Sequence, residues 1–161
     1  NWFLEFETLD NNISPLMGWE SSRDTMSEIK LKFTTKEKAI NYAKKNNIDT
    51  ISILGATGKR EDHLIGNIFS LLEYKNLNIK LFTNTGTFSC IHKSQKLASF
   101  KGQQISIFTS DNTIKITSNN LKYNFNRNSI NNIYLGTLNE STSDDFKLLI
   151  SHGSLLIFQT Y

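Results

Sequence analysis

The sequence has little of what would place it in a membrane, outside the cell or on a nucleic acid. One cysteine and one proline occur among its 161 residues. A single cysteine, Cys90, excludes an internal disulfide and favours a reducing compartment, and its position in an apparent strand predicts a packing role. No apolar run approaches the roughly 20 residues that a membrane helix needs, and the first residues lack the basic-then-apolar pattern of a signal peptide. We therefore expect a soluble, cytoplasmic protein with no transmembrane segment.

The sequence also lacks a large excess of charge of either sign. The formal net charge is +3, and the lysines are dispersed rather than gathered into a block. A nucleic-acid interface usually needs a basic stripe or cluster, so we expect no nucleic-acid partner. The length fits one domain or two small ones with enough apolar residues for a packed core.

The first 48 residues predict two strands and a helix. Apolar and polar residues alternate from Trp2 to Phe6 and again from Ile29 to Phe33, which is the pattern of half-buried strands. Thr34 and Glu37 form a capping-box pattern, so a helix is expected to begin there. Its buried face is expected to comprise Ala39, Ile40 and Ala43.

The segment Ile51–His63 is the most informative part of the chain, because an apolar strand breaks there into a Gly-rich turn before a helix. Backbone N–H groups near Gly55 and Gly58 can face a ligand that larger side chains would block, and the helix dipole points its positive end to the same place. Arg60 adds a bidentate phosphate contact, and Asp62 supplies a carboxylate for magnesium. Phosphate binding is one interpretation, and the solvated helix start of an ordinary α/β unit is the other.

The helix after this turn is predicted from about Glu61 to Tyr74. His63 and Asn67 are four residues apart and share one of its faces. The predicted buried stripe consists of Leu64, Ile65, Ile68, Leu71 and Leu72.

Beyond Asn76 the sequence consists of short β-branched and aromatic runs separated by Asn, Ser, Gly and Lys turns, which predicts an all-β module. The predicted strands are Ile79–Thr83, Thr87–Ile91, Gln104–Thr109, Thr113–Thr117, Lys122–Phe125, Ile133–Thr137, Phe146–Leu149 and Leu155–Tyr161.

Residues 51–161 resemble thiamine pyrophosphokinase. The resemblance rests on Ile53–His63 with Gly66–Ile68, and on Tyr134–Ser141 followed by Asp144–Phe146 and Leu155–Tyr161. It implies transfer of the terminal pyrophosphoryl group of ATP to the hydroxyethyl oxygen of thiamine, with Mg²⁺, in a homodimer.

The resemblance also implies roles for single residues. Arg60 and Asp62 would be catalytic, with Arg60 on phosphate and Asp62 as the metal ligand. Gly58, Arg60, His63 and Asn67 would line the nucleotide site. Asn139 and Ser141 would contact thiamine, although Asn and Ser are also common turn residues.

The sequence departs from this family at the aspartates that supply most of its metal site. The family has a Gly-Asp-x-Asp-Ser element and a later Thr-Asp pair, and Thr35 stands where the second residue of that pair is expected. The sequence therefore resembles the back half of the enzyme, which leaves open whether the chain is catalytically active.

A second resemblance lies in the first 48 residues and rests on four segments, Asn1–Glu7, Pro15–Thr25, Lys30–Phe33 and the helix from Lys36. Together they resemble a different family, the iron–sulfur protein 4 accessory subunit of respiratory complex I. It implies a noncatalytic subunit on the peripheral arm of complex I, attached to the inner membrane only through that complex. One cysteine is too few to hold an iron–sulfur cluster.

The expected organisation follows from these two resemblances. The fold class is α+β, with a small N-terminal α/β segment followed by an antiparallel β-sandwich. Residues 1–48 form the accessory subunit-like segment, 49–76 the end of a nucleotide-binding α/β domain, and 77–161 a thiamine-binding β-sandwich domain. The predicted function is thiamine pyrophosphokinase-like, and the alternative is a noncatalytic accessory subunit of NADH:ubiquinone oxidoreductase.

Overall fold

The structure is a computed structural model that describes residues 2–5, 30–48, 50–57, 60–75 and 77–161. The chain folds as two compact units, residues 1–49 and residues 50–161. The segment Pro15–Thr25, on which the second resemblance partly rests, lies outside the described residues. No helix among the described residues is long and apolar enough to cross a membrane.

The first unit contains a two-stranded antiparallel sheet and one helix. Strand β1 (Trp2–Glu5) pairs with β2 (Lys30–Phe33) in a register that sets Trp2 opposite Phe33. The pairing brings Lys30 Nζ to 2.5 Å from Glu5 Oε1. Both predicted strands are therefore present within the described part of this unit.

Helix α1 (Lys36–Lys45) begins one residue later than the capping pattern predicted. Thr35, not Thr34, is the N-cap, and its hydroxyl accepts a hydrogen bond from the Lys38 N–H at 3.3 Å. The predicted buried face is confirmed, because Ala39, Ile40 and Ala43 are all buried.

The second unit opens with a β-α-β arrangement. Strand β3 (Thr50–Ile53) lies parallel to β4 (Asn78–Phe82), and helix α2 (Glu61–Phe69) connects them. The predicted helix to Tyr74 is wrong in its second half, where Ser70–Glu73 form a 3₁₀ turn.

The predicted buried stripe of this helix is also largely wrong. None of the nine residues of α2 is buried, and Ile65 is 57% exposed. Leu71 in the 3₁₀ turn is the member of the stripe that is fully buried.

The remaining strands pair antiparallel and complete a β-sandwich of two layers, one of which also contains the parallel pair β3 and β4. Their bounds are β5 (Gly86–Ile91), β6 (Gln95–Ala98), β7 (Gln104–Phe108), β8 (Ile116–Asn119), β9 (Asn126–Asn128), β10 (Asn139–Glu140), β11 (Asp145–Ile150) and β12 (Leu155–Thr160). The six-stranded sheet has the order β10-β7-β12-β5-β4-β3, and the four-stranded sheet has the order β6-β11-β8-β9. The expected α+β class with an antiparallel β-sandwich is confirmed.

The main hydrophobic core contains residues of both sheets. Ile105, Ile107 and Ile157 come from the six-stranded sheet, and Phe146 and Leu148 come from β11 of the four-stranded sheet. All five side chains are at most 1% exposed. Burial of large side chains of this kind stabilises each by about 1.5–3 kcal/mol relative to exposure.

Three of the predicted strands differ from the observed ones. Ile133–Gly136 form a 3₁₀ turn, because Thr137 N–H and Oγ1 both bond to the Tyr134 carbonyl. Lys122–Phe125 form a turn held by the Asn124 side chain, which accepts from Leu121 N–H at 3.2 Å. The strand predicted from Thr113 begins at Ile116, while β6, β9 and β10 were not predicted.

Candidate functional site

The turn that follows β3 has the backbone geometry that a ligand-facing glycine requires. Gly55 has a φ of +67°, and a Cβ placed there would meet no atom within 4 Å. Only glycine adopts such a φ without strain. The second predicted glycine, Gly58, lies outside the described residues, so its proposed ligand contact stays a prediction.

Arg60 and Asp62 form an ion pair at the start of α2. Arg60 Nε donates to Asp62 Oδ1 at 3.0 Å, and the guanidinium NH2 group donates to Asp62 Oδ2 at 2.5 Å. Both side chains are about two-thirds exposed. The Arg60 guanidinium is the main reason that the pKa of Asp62 lies below its usual value, and the His63 N–H bond to Oδ1 at 2.9 Å also contributes.

His63 and Asn67 lie four residues apart on α2, as predicted from the sequence. The His63 side chain is exposed, and Asn67 is half-buried. The Asn67 carbonyl accepts from the Ser70 hydroxyl at 2.8 Å, at the point where α2 tightens into the 3₁₀ turn. Their predicted contact with a nucleotide stays a prediction.

The described residues do not fit a complete Mg²⁺–ATP site. Mg²⁺ in nucleotide enzymes is held by one or two carboxylates together with phosphate oxygens and water. No group of three or more His, Cys, Asp or Glu side chains comes together in the described ranges. Each oxygen of Asp62 already accepts a hydrogen bond from Arg60, so a metal ion there would share this carboxylate with the guanidinium.

Asn139, a predicted thiamine contact, is buried in the sandwich. Its Oδ1 accepts from Tyr123 N–H at 3.0 Å and from Glu140 N–H at 2.9 Å, while its Nδ2 donates to the Tyr123 carbonyl at 2.8 Å. The side chain therefore fixes the 121–124 turn against β10. A contact with thiamine stays a prediction.

Ser141, the other predicted thiamine contact, is fully buried. Its hydroxyl lies 2.7 Å from Ser99 Oγ and donates to the Ser143 carbonyl at 2.8 Å. It joins the segment after β6 to the segment before β11. Within the described residues, no hydrogen bond or ion pair connects Asn139 or Ser141 with Arg60 or Asp62.

Two features of the second unit were not predicted from the sequence. A cleft of about 250 Å³ lies on the six-stranded sheet and is lined by Lys80, Phe82, Thr87, Ser89, Gln103, Gln159, Thr160 and Tyr161. The 3₁₀ turn Ile133–Gly136 and its neighbour Leu138 present large apolar side chains to solvent, and Leu138 is 80% exposed with a φ of +57°. The periodicity of apolar residues in the sequence predicts neither feature, because both depend on which segments become neighbours in the fold.

Comparison with known families supports both resemblances. Residues 86–158 match the family model of the thiamin pyrophosphokinase substrate-binding domain. Residues 1–74 match the family model of NADH dehydrogenase ubiquinone Fe-S protein 4. The second match continues past residue 48 and through most of the β3–α2 region.

Similar solved structures are thiamine pyrophosphokinases. The enzyme of Bacillus subtilis has a TM-score of 0.67 at 22% identity, covering 76% of this chain and 60% of that one. The Geobacillus thermodenitrificans enzyme has a TM-score of 0.66 at 22% identity, with 81% and 64% coverage. A probable thiamine pyrophosphokinase of Staphylococcus saprophyticus has a TM-score of 0.60 at 27% identity, with 82% and 65% coverage.

These coverages define the extent of the likeness. The chain spans about 60–65% of the length of the three relatives. Residues 50–161 are about 70% of the chain, so a coverage of 81% or more also includes residues before 50.

Proposed function

We propose that residues 50–161 bind thiamine, in the manner of the substrate-binding part of a thiamine pyrophosphokinase. The observation that carries this proposal is the family match of residues 86–158, on a β-sandwich whose fold is that of the solved enzymes. The predicted thiamine contacts, Asn139 and Ser141, already make several hydrogen bonds within the protein. We therefore expect them to shape the sandwich around the thiamine site.

A second part of the proposal concerns the phosphate end of the reaction. Pyrophosphoryl transfer would form a bond from the thiamine hydroxyethyl oxygen to the β-phosphorus of ATP, release AMP and remove the hydroxyl proton. Such transfers depend mainly on positioning and on neutralising the spread of negative charge. The exposed guanidinium of Arg60, at the N terminus of α2, is the group proposed to meet the phosphates.

We expect little or no turnover by the chain alone. When ATP and Mg²⁺ are bound in a pyrophosphokinase, the ion neutralises the phosphates, and this requires carboxylates around it. The described residues include one carboxylate that the resemblance assigns to the metal, Asp62, and it is paired with Arg60. The proposed activity is thus ligand binding, with thiamine diphosphate synthesis reduced or absent.

Nucleotide titration tests the phosphate part of this proposal. A nonhydrolysable ATP analogue is titrated calorimetrically into the wild type, Arg60→Ala and Asp62→Ala, with Arg127→Ala as the matched control. Arg127 is an exposed arginine on β9 of the same unit. Loss of a charged hydrogen bond is worth about 1.5–3 kcal/mol, so Arg60→Ala should weaken binding by about tenfold or more. An unchanged affinity in Arg60→Ala and Asp62→Ala contradicts the phosphate assignment.

A second candidate function is specifically favoured by the match of residues 1–74 to the complex I accessory family. In this alternative the chain is a noncatalytic subunit that docks on the peripheral arm of complex I. Co-purification of the tagged chain with the NADH-oxidising arm, absent when residues 1–49 are removed, would support it. If the full chain, like the chain without residues 1–49, does not co-purify with the NADH-oxidising arm, the alternative is contradicted.

Three further expectations from the sequence stay predictions. They are the homodimer that the thiamine pyrophosphokinase resemblance implies, the cytoplasmic location, and the division at residues 1–48, 49–76 and 77–161. Light scattering of the purified chain measures the first directly, and a mass of one chain would contradict it.

A further inference from the structure

The cleft on the six-stranded sheet is the unassigned cavity with the most distinct chemistry. Its floor consists of two rows of side chains that the strand register places on one face. Lys80 lies opposite Ser89, and Phe82 lies opposite Thr87, which in turn lies opposite Gln159. Opposed residues of antiparallel strands have Cβ atoms about 4.5–5.5 Å apart and point to the same side.

This face is the continuation of the sandwich core. Ser89 is paired with Ile157, which is fully buried in the core. On β4, the buried residues Ile79 and Leu81 point away from the cleft, while Lys80 and Phe82 point into it. The cleft thus lies at the edge of the sheet face that forms the core, where polar side chains take the place of apolar ones.

Several polar groups in the cleft have no protein partner. Within the described part of the chain, Lys80 Nζ makes no ion pair or hydrogen bond, and the hydroxyls of Thr87 and Ser89 make none either. Thr87 and Ser89 are half-buried. Their hydroxyls are not among the buried polar atoms without a partner, so they keep access to water and can donate to a ligand that enters the cleft.

Hydrogen bonds tie down the other polar residues that line the cleft. Gln103 Nε2 donates to the Thr160 carbonyl at 2.5 Å, and its Oε1 accepts from Gln159 Nε2 at 3.0 Å. Tyr161 OH donates to the Thr83 carbonyl at 3.1 Å and closes the end. No Asp or Glu side chain lines the cleft, and among its lining side chains Lys80 carries the one full charge.

We propose that this cleft binds a small oxyanion, a carboxylate or a phosphate, with the anion at Lys80, Ser89 and Thr87 and any attached ring or chain against Phe82. One ammonium and two hydroxyl donors match a single anionic head group, because charge-assisted hydrogen bonds are about twice as strong as neutral ones. The volume of about 250 Å³ limits the ligand to a small molecule. Arg60, Asp62, Asn139 and Ser141 do not line the cleft, although the Ser141 N–H donates to the carbonyl of the lining residue Gln103 at 2.9 Å. The proposal is therefore independent of the nucleotide site.

The test is an NMR titration of the ¹⁵N-labelled full chain at constant ionic strength. Sodium benzoate probes a carboxylate with an attached ring, inorganic phosphate probes the phosphate, and sodium chloride is the control for salt. We expect saturable shifts of amides in β4, β5 and β12 with benzoate, phosphate or both, and none with chloride. The anion that saturates identifies the class of ligand.

Point variants test whether the anion binds in the cleft. Lys80→Gln should raise the dissociation constant about tenfold or more, the value expected for loss of a charged hydrogen bond. Lys115→Gln, an exposed lysine outside the cleft, should leave it unchanged. Ser89→Leu fills the floor and should abolish binding, and because Lys80 is exposed, Lys80→Gln keeps the test valid if Ser89→Leu does not fold.

Two results would overturn the proposal. The first is that neither benzoate nor phosphate shifts the amides of the three strands beyond the chloride control. The second is that Lys80→Gln binds as tightly as Lys115→Gln. Arg60→Ala should bind these anions like the wild type, which separates this site from the nucleotide proposal.

Discussion

The side-chain amide of Asn139 brackets the backbone of Tyr123, accepting from its N–H at 3.0 Å and donating to its carbonyl at 2.8 Å. These two hydrogen bonds link β10 to the 121–124 turn in the way that paired backbone groups link two strands. Because Asn139 is buried, water does not replace these bonds when the side chain is removed. This places a residue predicted to contact thiamine inside the scaffold of the sandwich.

Replacement of this amide tests its scaffold role. Asn139→Ala leaves backbone groups of Tyr123 and Glu140 without partners and should lower the free energy of unfolding by about 2–3 kcal/mol. Asn131→Ala, at an exposed asparagine, should change it by less than about 0.5 kcal/mol. Urea denaturation monitored by circular dichroism measures both values. If the two variants changed the free energy of unfolding equally, the hydrogen bonds between Asn139 and Tyr123 would contribute nothing to stability.

The sandwich core predicts a contrast between two residues of β11. Phe146 is fully buried and Leu149 is 42% exposed. Phe146→Ala creates a cavity and should cost about 3–5 kcal/mol, whereas Leu149→Ala should cost less than about 1.5 kcal/mol. Chemical denaturation of both variants tests the burial. A smaller loss for Phe146→Ala than for Leu149→Ala would contradict the assigned faces of β11.

Two glycines should respond in opposite directions to alanine. A Cβ at Gly136 would collide with the carbonyl oxygen of Ile107 and would lie 3.0 Å from Ile130 Cδ1, so Gly136→Ala should destabilise the fold by about 1–3 kcal/mol. A Cβ at Gly66, within α2, meets no atom within 4 Å. Gly66→Ala should therefore stabilise the fold by about 0.5–1 kcal/mol.

Thermal unfolding of these two variants measures both shifts. Melting temperatures that move in opposite directions confirm the close approach at Gly136 and the open face at Gly66. A fall of similar size in both variants would contradict the packing at one of them.

Cys90 should behave as an unreactive thiol. Burial raises its pKa to about 12 from the ordinary 9.0, and the thiolate is the reactive form. Iodoacetamide at pH 8 should therefore label the native chain slowly and the urea-unfolded chain quickly. As the chain has one cysteine, a single mass shift reports the reaction without ambiguity.

The same pKa shift sets a sign for stability at alkaline pH. The folded-state pKa is raised, so the unfolded state loses its proton first as the pH rises. The contribution of Cys90 to stability is then complete below pH 9 and is lost as the pH rises towards 12. Cys90→Ala should lose less stability than the wild type over this range, and an identical pH dependence would contradict the buried assignment.

Local sequence patterns predicted the elements that bury an apolar face. Strands β5, β7, β11 and β12 were placed because β-branched and aromatic residues alternate or run together there. The buried face of α1 was found for the same reason. Strand β6 was missed, since its Gln95 and Lys96 give no apolar signal at a sheet edge.

The errors arise where tertiary contacts override local preference. Ile133–Thr137 has the composition of a strand, but Gly136 packs against the Ile107 carbonyl and the chain turns. For α2, the 3.6-residue period of apolar residues predicted a buried face, but none of the nine helix residues is buried in the structure. The hydrogen bonds of Asn139 and Ser141 join segments distant in sequence, so no periodicity could assign their role.

Calorimetric titration of the purified chain with thiamine, with a parallel assay for thiamine diphosphate in the presence of ATP and Mg²⁺, tests the central claim most directly. Our account predicts saturable thiamine binding with one site per chain and little or no thiamine diphosphate. It also predicts that binding persists when residues 1–49 are removed, provided that the remaining unit keeps its β-rich circular dichroism spectrum. Absence of thiamine binding by the folded full chain would contradict the assignment of residues 50–161 as a thiamine-binding unit.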